Sequence, residues 1–309
     1  MKKHGRTIIF FIIFVILLLI TSFLVAPREG NVYDILAVRE KMADTKEETA
    51  DSIDVIFAGN SLVYQDISPL QIWNLTGITS YDLSDGAMRL CDQDVLIRNM
   101  CKRQKPKLIM MDAGIMFSSA SPFKDDFALP TNLVETVFPI FHYHIFYKGW
   151  DPSEKSEGRD MQKGFETSYD VKPYEGRADY MEKEADEESI EPLNRRYLND
   201  ILKYCRDNGI VFQLVALPSP KYYTGEMHKA AQEWADENGI EFLDMNYIDI
   251  GLDWSTDTKD KGGHLNFEGS KKVSEYMAGY LEEHYELTDH RDDPDYDSWN
   301  KDYEGSGLY

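Results

Sequence analysis

Ser61 closes an apolar run, DVIFAGNSLV over 54–63, in which a buried strand would stop at Gly59 and present a hydroxyl. A serine hydroxyl at its free pKa is a poor nucleophile. It becomes an effective one when a base lies within hydrogen-bond reach and a carboxylate orients that base, the arrangement used for acyl transfer. Seven histidines supply the candidate bases. His4 precedes a long apolar segment, and His142 and His144 sit in the aromatic run FHYHIFY, where they read as packing. His228 and His284 fall in expected helices and read as solvated, and His290 belongs to an acidic tail. His264 differs from all of these. It lies in DTKDKGGHLNFEGSKKV (257–273), a Gly-rich loop that carries Asp257 and Asp260 just upstream. Either carboxylate could orient it. The competing reading is an ordinary turn serine and a loop histidine beside a helix start.

The elements that would position these residues alternate regularly. SIDVIFAG (52–59) reads as a buried strand, and SPLQIWNLTG (68–77) as a short helix with Ser68 as N-cap, Pro69 at the first helical position and Gly77 past the end. TSYDLS (79–84), KLIMMDAG (107–114), IVFQLVALP (210–218) and IEFLDMN (240–246) read as four more strands. Helices are expected over 87–105, 192–209, about 225–238 and 269–285, the last with Val273, Tyr276, Met277, Tyr280 and Leu281 on one apolar face. This alternation implies βαβ crossovers and a three-layer α/β/α sandwich around a mostly parallel sheet of about five strands. Sites in such sheets lie at the C-terminal edges of the strands, where Ser61 falls. The stretch 115–190 breaks the alternation and is expected to be an insertion forming a lid or substrate wall.

The two ends have their own character. Basic MKKHGR (1–6) precedes twenty uncharged residues, TIIFFIIFVILLLITSFLVA (7–26). At about 1.5 Å per residue, a helix of that length spans a hydrocarbon core of about 30 Å. The basic flank would keep residues 1–6 cytoplasmic and place the rest outside the cytoplasmic membrane. The run exceeds the apolar region of a signal peptide and no A-x-A site follows, so an uncleaved transmembrane anchor is expected. A polar stalk (27–51) would lead into an α/β domain (52–285), followed by an acidic, disordered tail (286–309). Net charge is −22, from 33 basic and 55 acidic residues, which argues against a nucleic-acid partner. Cys91, Cys101 and Cys205 are too few and too scattered for a disulfide framework or a zinc site, and neither a metal nor a cofactor is called for.

The Gly-x-Ser loop after the first strand, the Gly after the second, and the Asp-x-x-His-like element before the last helix together resemble the SGNH/GDSL hydrolases. HLNFEGSKKV is similar to their membrane-anchored bacterial branch, the DltD-like and AlgJ/AlgX-like proteins. The resemblance covers roughly 52–120 and 192–285. It implies Ser61 as nucleophile, His264 as general base and then acid, and Asp260 as the residue that orients His264. The oxyanion hole would be formed by the backbone N–H groups of Ser61 and Gly86. Two departures from the family pattern stand out. The acid is usually three residues before the histidine, where this chain has Lys261; Asp260 is favoured over Asp257, with the extra glycine of KGGH absorbing the offset. The Gly-x-Asn-Asp block after the third strand is replaced by MMDAG, which offers Asp112 and no Asn. The resemblance implies a membrane-anchored, extracytoplasmic serine acyl-esterase or O-acyltransferase acting on a cell-envelope polysaccharide or teichoic acid. It would work through an acyl-Ser61 ester, beside a multi-pass membrane O-acyltransferase. The alternative is a weakly active or inactive accessory protein that binds glycans, with the aromatics of 138–150 stacking on sugar rings.

Overall fold

A computed structural model of the chain describes residues 2–25, 41, 45, 48–86, 88–118, 162–182 and 187–308. The expected stalk lies mostly outside these residues, as do much of the insertion and the aromatic run with His142 and His144. Helix α1 (Lys2–Val25) carries exposed Ile8, Phe11, Phe14, Leu17 and Ile20. Residues 7–25 of the anchor expected at 7–26 lie on it, and among the described residues no helix is long and apolar enough to cross a membrane.

The strands are short, and each lies within the run expected for it, shorter by one to four residues overall. They are β1 (Val55–Gly59), β2 (Ser80–Ser84), β3 (Leu108–Asp112), β4 (Val211–Ala216) and β5 (Phe242–Asp244). They form one parallel sheet in the order β2-β1-β3-β4-β5. Between them run α2 (Ser61–Asp66), α3 (Pro69–Thr76), α4 (Leu90–Met100), α5 (Pro192–Asp207) and α6 (Gly225–Asn238), and α7 (Phe267–His284) follows β5. Strand periodicity divides the core. Val55 and Phe57 face Ile72, Val273 and Met277 of α3 and α7, while Ile56 and Ala58 join Leu96, Leu198 and Trp234 of α4, α5 and α6. Helices therefore cover both faces, and the expected α/β sandwich of five parallel strands is what the chain forms. Helix α3 has the expected ends: the Ser68 hydroxyl accepts from Gln71 N–H, and Gly77 closes it at φ 73°, a left-handed turn that suits glycine. The order reverses between β1 and β3, so chain segments leaving these two neighbours diverge and open a crevice at their C-terminal ends.

The tail differs from expectation. Instead of a disordered end, it forms a 3₁₀ turn at Pro294–Tyr296 and helix α8 (Asp297–Gly305). Its acidity hid one strong anchor. Trp299 is buried against Trp73 at 5.4 Å between rings, and Asn300 Oδ1 accepts from Trp73 Nε1. Beneath them Lys163, itself fully buried, pairs with Glu48 at 2.8 Å and Asp302 at 2.8 Å, with its ammonium 4.4 Å from the Trp299 ring. One ammonium thus joins the end of the stalk, the return of the insertion and the tail. Lys163 C=O also accepts from Asp82 N–H at 2.9 Å, which covers the edge strand β2.

Truncating Trp299 to Ala removes a fully packed aromatic and is expected to cost about 3–5 kcal/mol, read as a shifted urea midpoint. A loss below about 0.5 kcal/mol, as for a solvated surface side chain, would show that the tail does not hold the fold.

Candidate active site

Ser61 begins α2 directly after β1. Asn60 caps the helix: its side chain accepts from Leu62 N–H at 3.2 Å and its carbonyl from Val63 N–H at 3.1 Å. Gly59 makes the turn possible, because a Cβ there would stand 2.6 Å from Val63 Cγ2 and 2.9 Å from Asp112 Cβ. Gln93 Nε2 donates to Gly59 O at 2.7 Å and Leu83 O at 2.9 Å, tying the ends of β1 and β2 together.

His264 comes from the loop between β5 and α7. A bridge between Thr258 and Leu265 closes the base of that loop. Lys261 (φ 68°) and Gly262 (φ 84°) then turn the chain left-handed, so that Asp260 folds back under His264. Asp260 Oδ1 accepts from the N–H groups of Gly263 (3.0 Å) and His264 (2.7 Å), and Asp260 Oδ2 lies 2.6 Å from His264 Nδ1. On the other side of the ring, His264 Nε2 lies 2.8 Å from Ser61 Oγ. A Cβ on Gly263 would come within 2.8 Å of both Asp260 Oδ1 and Tyr222 Cε2, so that position is closed to side chains. Tyr222, about half exposed, sets its ring edge-on to the imidazole at 5.4 Å.

The structure thus brings Ser61, His264 and Asp260 into one chain of hydrogen bonds. Asp257, the other carboxylate of the loop, is used elsewhere: its Oδ2 accepts from Lys272 Nζ at 2.6 Å and Asp253 N–H at 2.8 Å. It lines a separate cavity of about 300 Å³ with Tyr169, Asn266 and Phe267. Gly86 follows β2, as expected, but its N–H donates to Asp85 Oδ1 at 2.5 Å and is not open to a substrate oxygen as it stands. Ser61 N–H, as the first of α2, has no acceptor within its helix. Asp112 sits at the end of β3 and accepts from Leu217 N–H at 3.3 Å. Of the other histidines, His284 is exposed as expected, whereas His228 and His290 are not simply solvated. His228 Nδ1 pairs with Asp244 Oδ2 at 2.7 Å, and His290 Nε2 reaches Asp54 Oδ2 at 2.9 Å while stacking on Tyr296. Asp66 and Gln93 escaped the sequence reading. A lone acid closing the short, mostly apolar helix that Ser61 opens was the available signal for Asp66, and nothing local distinguished Gln93.

The electrostatics favour a neutral base. Partial burial lowers the His264 pKa below the ordinary 6.5; Asp260 opposes the shift, and the nearby Lys259 and Lys221 add to it. With Nδ1–H donated to Asp260, neutral His264 offers the Nε2 lone pair to the Ser61 hydroxyl. Burial pushes Asp260 up, but hydrogen bonds from the His264 ring and backbone outweigh it and hold the carboxylate below its ordinary range. Asp112 behaves oppositely: burial drives it up to about 7, against the backbone N–H groups of Leu217, Gly114 and Ile115. Near neutral pH much of it is a neutral acid.

No protein-family model and no curated protein matches the chain. Among solved structures, it is similar to a proposed acylhydrolase from Bacteroides fragilis, with 13% identity, 82% of this chain and 99% of that one covered, and a TM-score of 0.43. A GDSL-like lipase from Bacteroides thetaiotaomicron shares 10% identity over 82% of this chain and 100% of its own, with a TM-score of 0.42. An acetyl xylan esterase shares 12% over 74% and 100%, with a TM-score of 0.37. Likeness of this degree carries no chemistry, so the site is read from its own atoms.

Two pH effects are expected. The activity of a neutral His264 should fall on the acid side with a midpoint below 6.5, and Lys221→Gln should move that midpoint upward in a pH–rate profile by removing a positive neighbour. An unmoved or lowered midpoint would mean that Lys221 does not act on the ring. Separately, Asp112 binds its proton more tightly folded than unfolded. Its contribution is therefore favourable at low pH and is lost as pH rises from about 4 to about 7. Asp112→Asn should flatten that slope and raise Tm at pH 8; an unchanged slope would exclude Asp112 as its source.

Proposed function

We propose that the chain is a serine acyl-esterase or O-acyltransferase of the SGNH type. The observation that carries this reading is the continuous relay Ser61 Oγ, His264 Nε2, His264 Nδ1, Asp260 Oδ2, with steps of 2.8 Å and 2.6 Å across the ring. Ser61 Oγ attacks the ester carbonyl as its proton passes to His264 Nε2, forming a tetrahedral oxyanion. Asp260 stabilises the imidazolium and keeps the ring in register. The oxyanion collapses with cleavage of the ester C–O bond, and His264 returns the proton to the leaving alcohol. Acyl-Ser61 is then opened by water, or by an acceptor hydroxyl, whose proton His264 takes and hands back to Ser61. Ser61 N–H at the start of α2 supplies one oxyanion donor. Gly86 N–H supplies a second once the Asp85 carboxylate swings away.

The substrate we propose is an acyl ester on a cell-envelope polysaccharide or teichoic acid, reached from outside the membrane. The anchor in this proposal is segment 7–26, of which residues 7–25 lie on α1. It is supported by twenty uncharged residues behind a basic end and by exposed apolar side chains along the helix. A multi-pass acyltransferase partner belongs to the same proposal. A second reading, a weakly active accessory protein, draws support from one specific contact: the donor expected from Gly86 is taken by Asp85.

Ser61→Ala and His264→Ala should each reduce the hydrolysis of short acyl esters at least about 10³-fold, as for other members of such a relay, and a fluorophosphonate should label Ser61. Hydrolysis that survives Ser61→Ala would sink the nucleophile assignment. A folded protein that neither hydrolyses esters nor takes the label would favour the accessory reading.

A further inference from the structure

Helix α2 carries two ends of one device. It opens with Ser61 and closes with Asp66, about one and a half turns later. Asp66 is fully buried, and its Oδ1 accepts from the N–H of Leu265, the residue that follows the base, at 2.9 Å. The carbonyl of that same peptide unit, His264 C=O, is held by Thr258 Oγ1 at 3.0 Å and by Lys259 N–H at 3.1 Å. His264 N–H is held in turn by Asp260. The backbone N–H and C=O of His264 and the N–H of Leu265 are therefore all held, and the Leu265 bond ties the backbone of the base loop to the nucleophile's own helix.

We propose, resting on the reading of Ser61 and His264 as nucleophile and base, that Asp66 is a positioning residue that sets their separation by clamping the His264–Leu265 peptide to the far end of α2. The isolation of this carboxylate supports the role. Its Oδ2 is buried without a hydrogen-bond partner among the described residues, a costly arrangement for a side chain that only fills space. Burial also pushes the group well above the ordinary carboxylate range, with Asp112 and Asp260 adding to the shift and the Leu265 N–H and Lys259 opposing it. A neutral acid is sufficient, because the clamp needs an acceptor oxygen and not a charge. A misplacement of about 1 Å between nucleophile and base can cost about 10²-fold in rate, so a hydrogen bond remote from the substrate has leverage on kcat.

The test compares Asp66→Asn, which keeps an acceptor oxygen in place, with Asp66→Leu, which keeps the branching at Cγ but removes both oxygens. Both are assayed on short acyl esters, alongside hydrogen exchange at the Leu265 amide. We expect Asp66→Leu to lower kcat about 10- to 100-fold with KM little changed and Leu265 exchange accelerated, while Asp66→Asn stays close to the parent in all three. Equal loss in both variants, or a folded Asp66→Leu with unchanged kcat, overturns the proposal. Should Asp66→Leu not fold, Asp66→Glu, whose longer side chain displaces the amide, gives the same comparison: reduced kcat supports the clamp and unchanged kcat overturns it. The amide readout separates this inference from the one beneath it. If Ser61→Ala retains hydrolysis, the nucleophile assignment fails. Leu265 exchange would still show whether Asp66 clamps the loop, and no acceleration in Asp66→Leu would overturn the clamp itself.

Discussion

Ser61 Oγ meets His264 Nε2 at 2.8 Å across 203 residues of sequence, and the rest of the domain can be understood as what makes that contact geometrically possible. Two hydroxyl-to-imidazole partners so far apart in the chain need a frame stiff to within a few tenths of an ångström. The parallel sheet supplies it. Its order reverses between β1 and β3, so the segment that leaves β1 turns into α2 with an open crevice beside it, while the loop after β5 crosses the same edge to reach α7. Buried hydrogen bonds then fix what the sheet only aims. Gln93 holds the ends of β1 and β2, Asn60 caps α2, and Asp260 wraps the His264 loop around its own carboxylate.

Buried acids recur around this contact, and they do different work. Asp260 is partly exposed and stays ionised because His264 and two backbone amides hold its carboxylate, which suits the role proposed for it of stabilising an imidazolium. Asp66 and Asp112, fully buried, are driven toward their neutral forms and serve as hydrogen-bond acceptors for Leu265 and Leu217. A neutral Asp112 also removes the repulsion that an ionised carboxylate after β3 would direct at an oxyanion. Around His264, burial lowers the ring's pKa first, Asp260 opposes the shift, and the nearby Lys259 and Lys221 add to it.

Much of this was legible in the sequence because the signals are local. Short apolar runs, two of them ending in glycine at Gly59 and Gly114, marked the strands, Ser68-Pro69 and Gly77 marked both ends of α3, and a serine after one strand with a histidine in a Gly-rich loop after another marked the two halves of the site. What stayed hidden depends on side chains meeting across the fold. Asp260 was favoured over Asp257 from the sequence, but the left-handed backbone at Lys261 that brings it under His264 was not readable, because a non-glycine residue gives no such signal. The tail reads as acidic and aperiodic, yet Trp299 docks on Trp73 and Asp302 closes on a lysine more than a hundred residues earlier. Gly86 was readable as a residue at the sheet edge, but the occupation of its N–H by Asp85 was not.

In the proposed reaction Ser61 becomes covalently acylated with His264 as its base. Intact-mass and peptide-mass analysis after rapid acid quench of the protein with an activated acetyl ester tests it directly. One acetyl group is expected on the peptide carrying Ser61, formed in the parent protein and absent in His264→Ala. Continued turnover of the ester with no acyl group on Ser61, or with the acyl group on another residue, would contradict it.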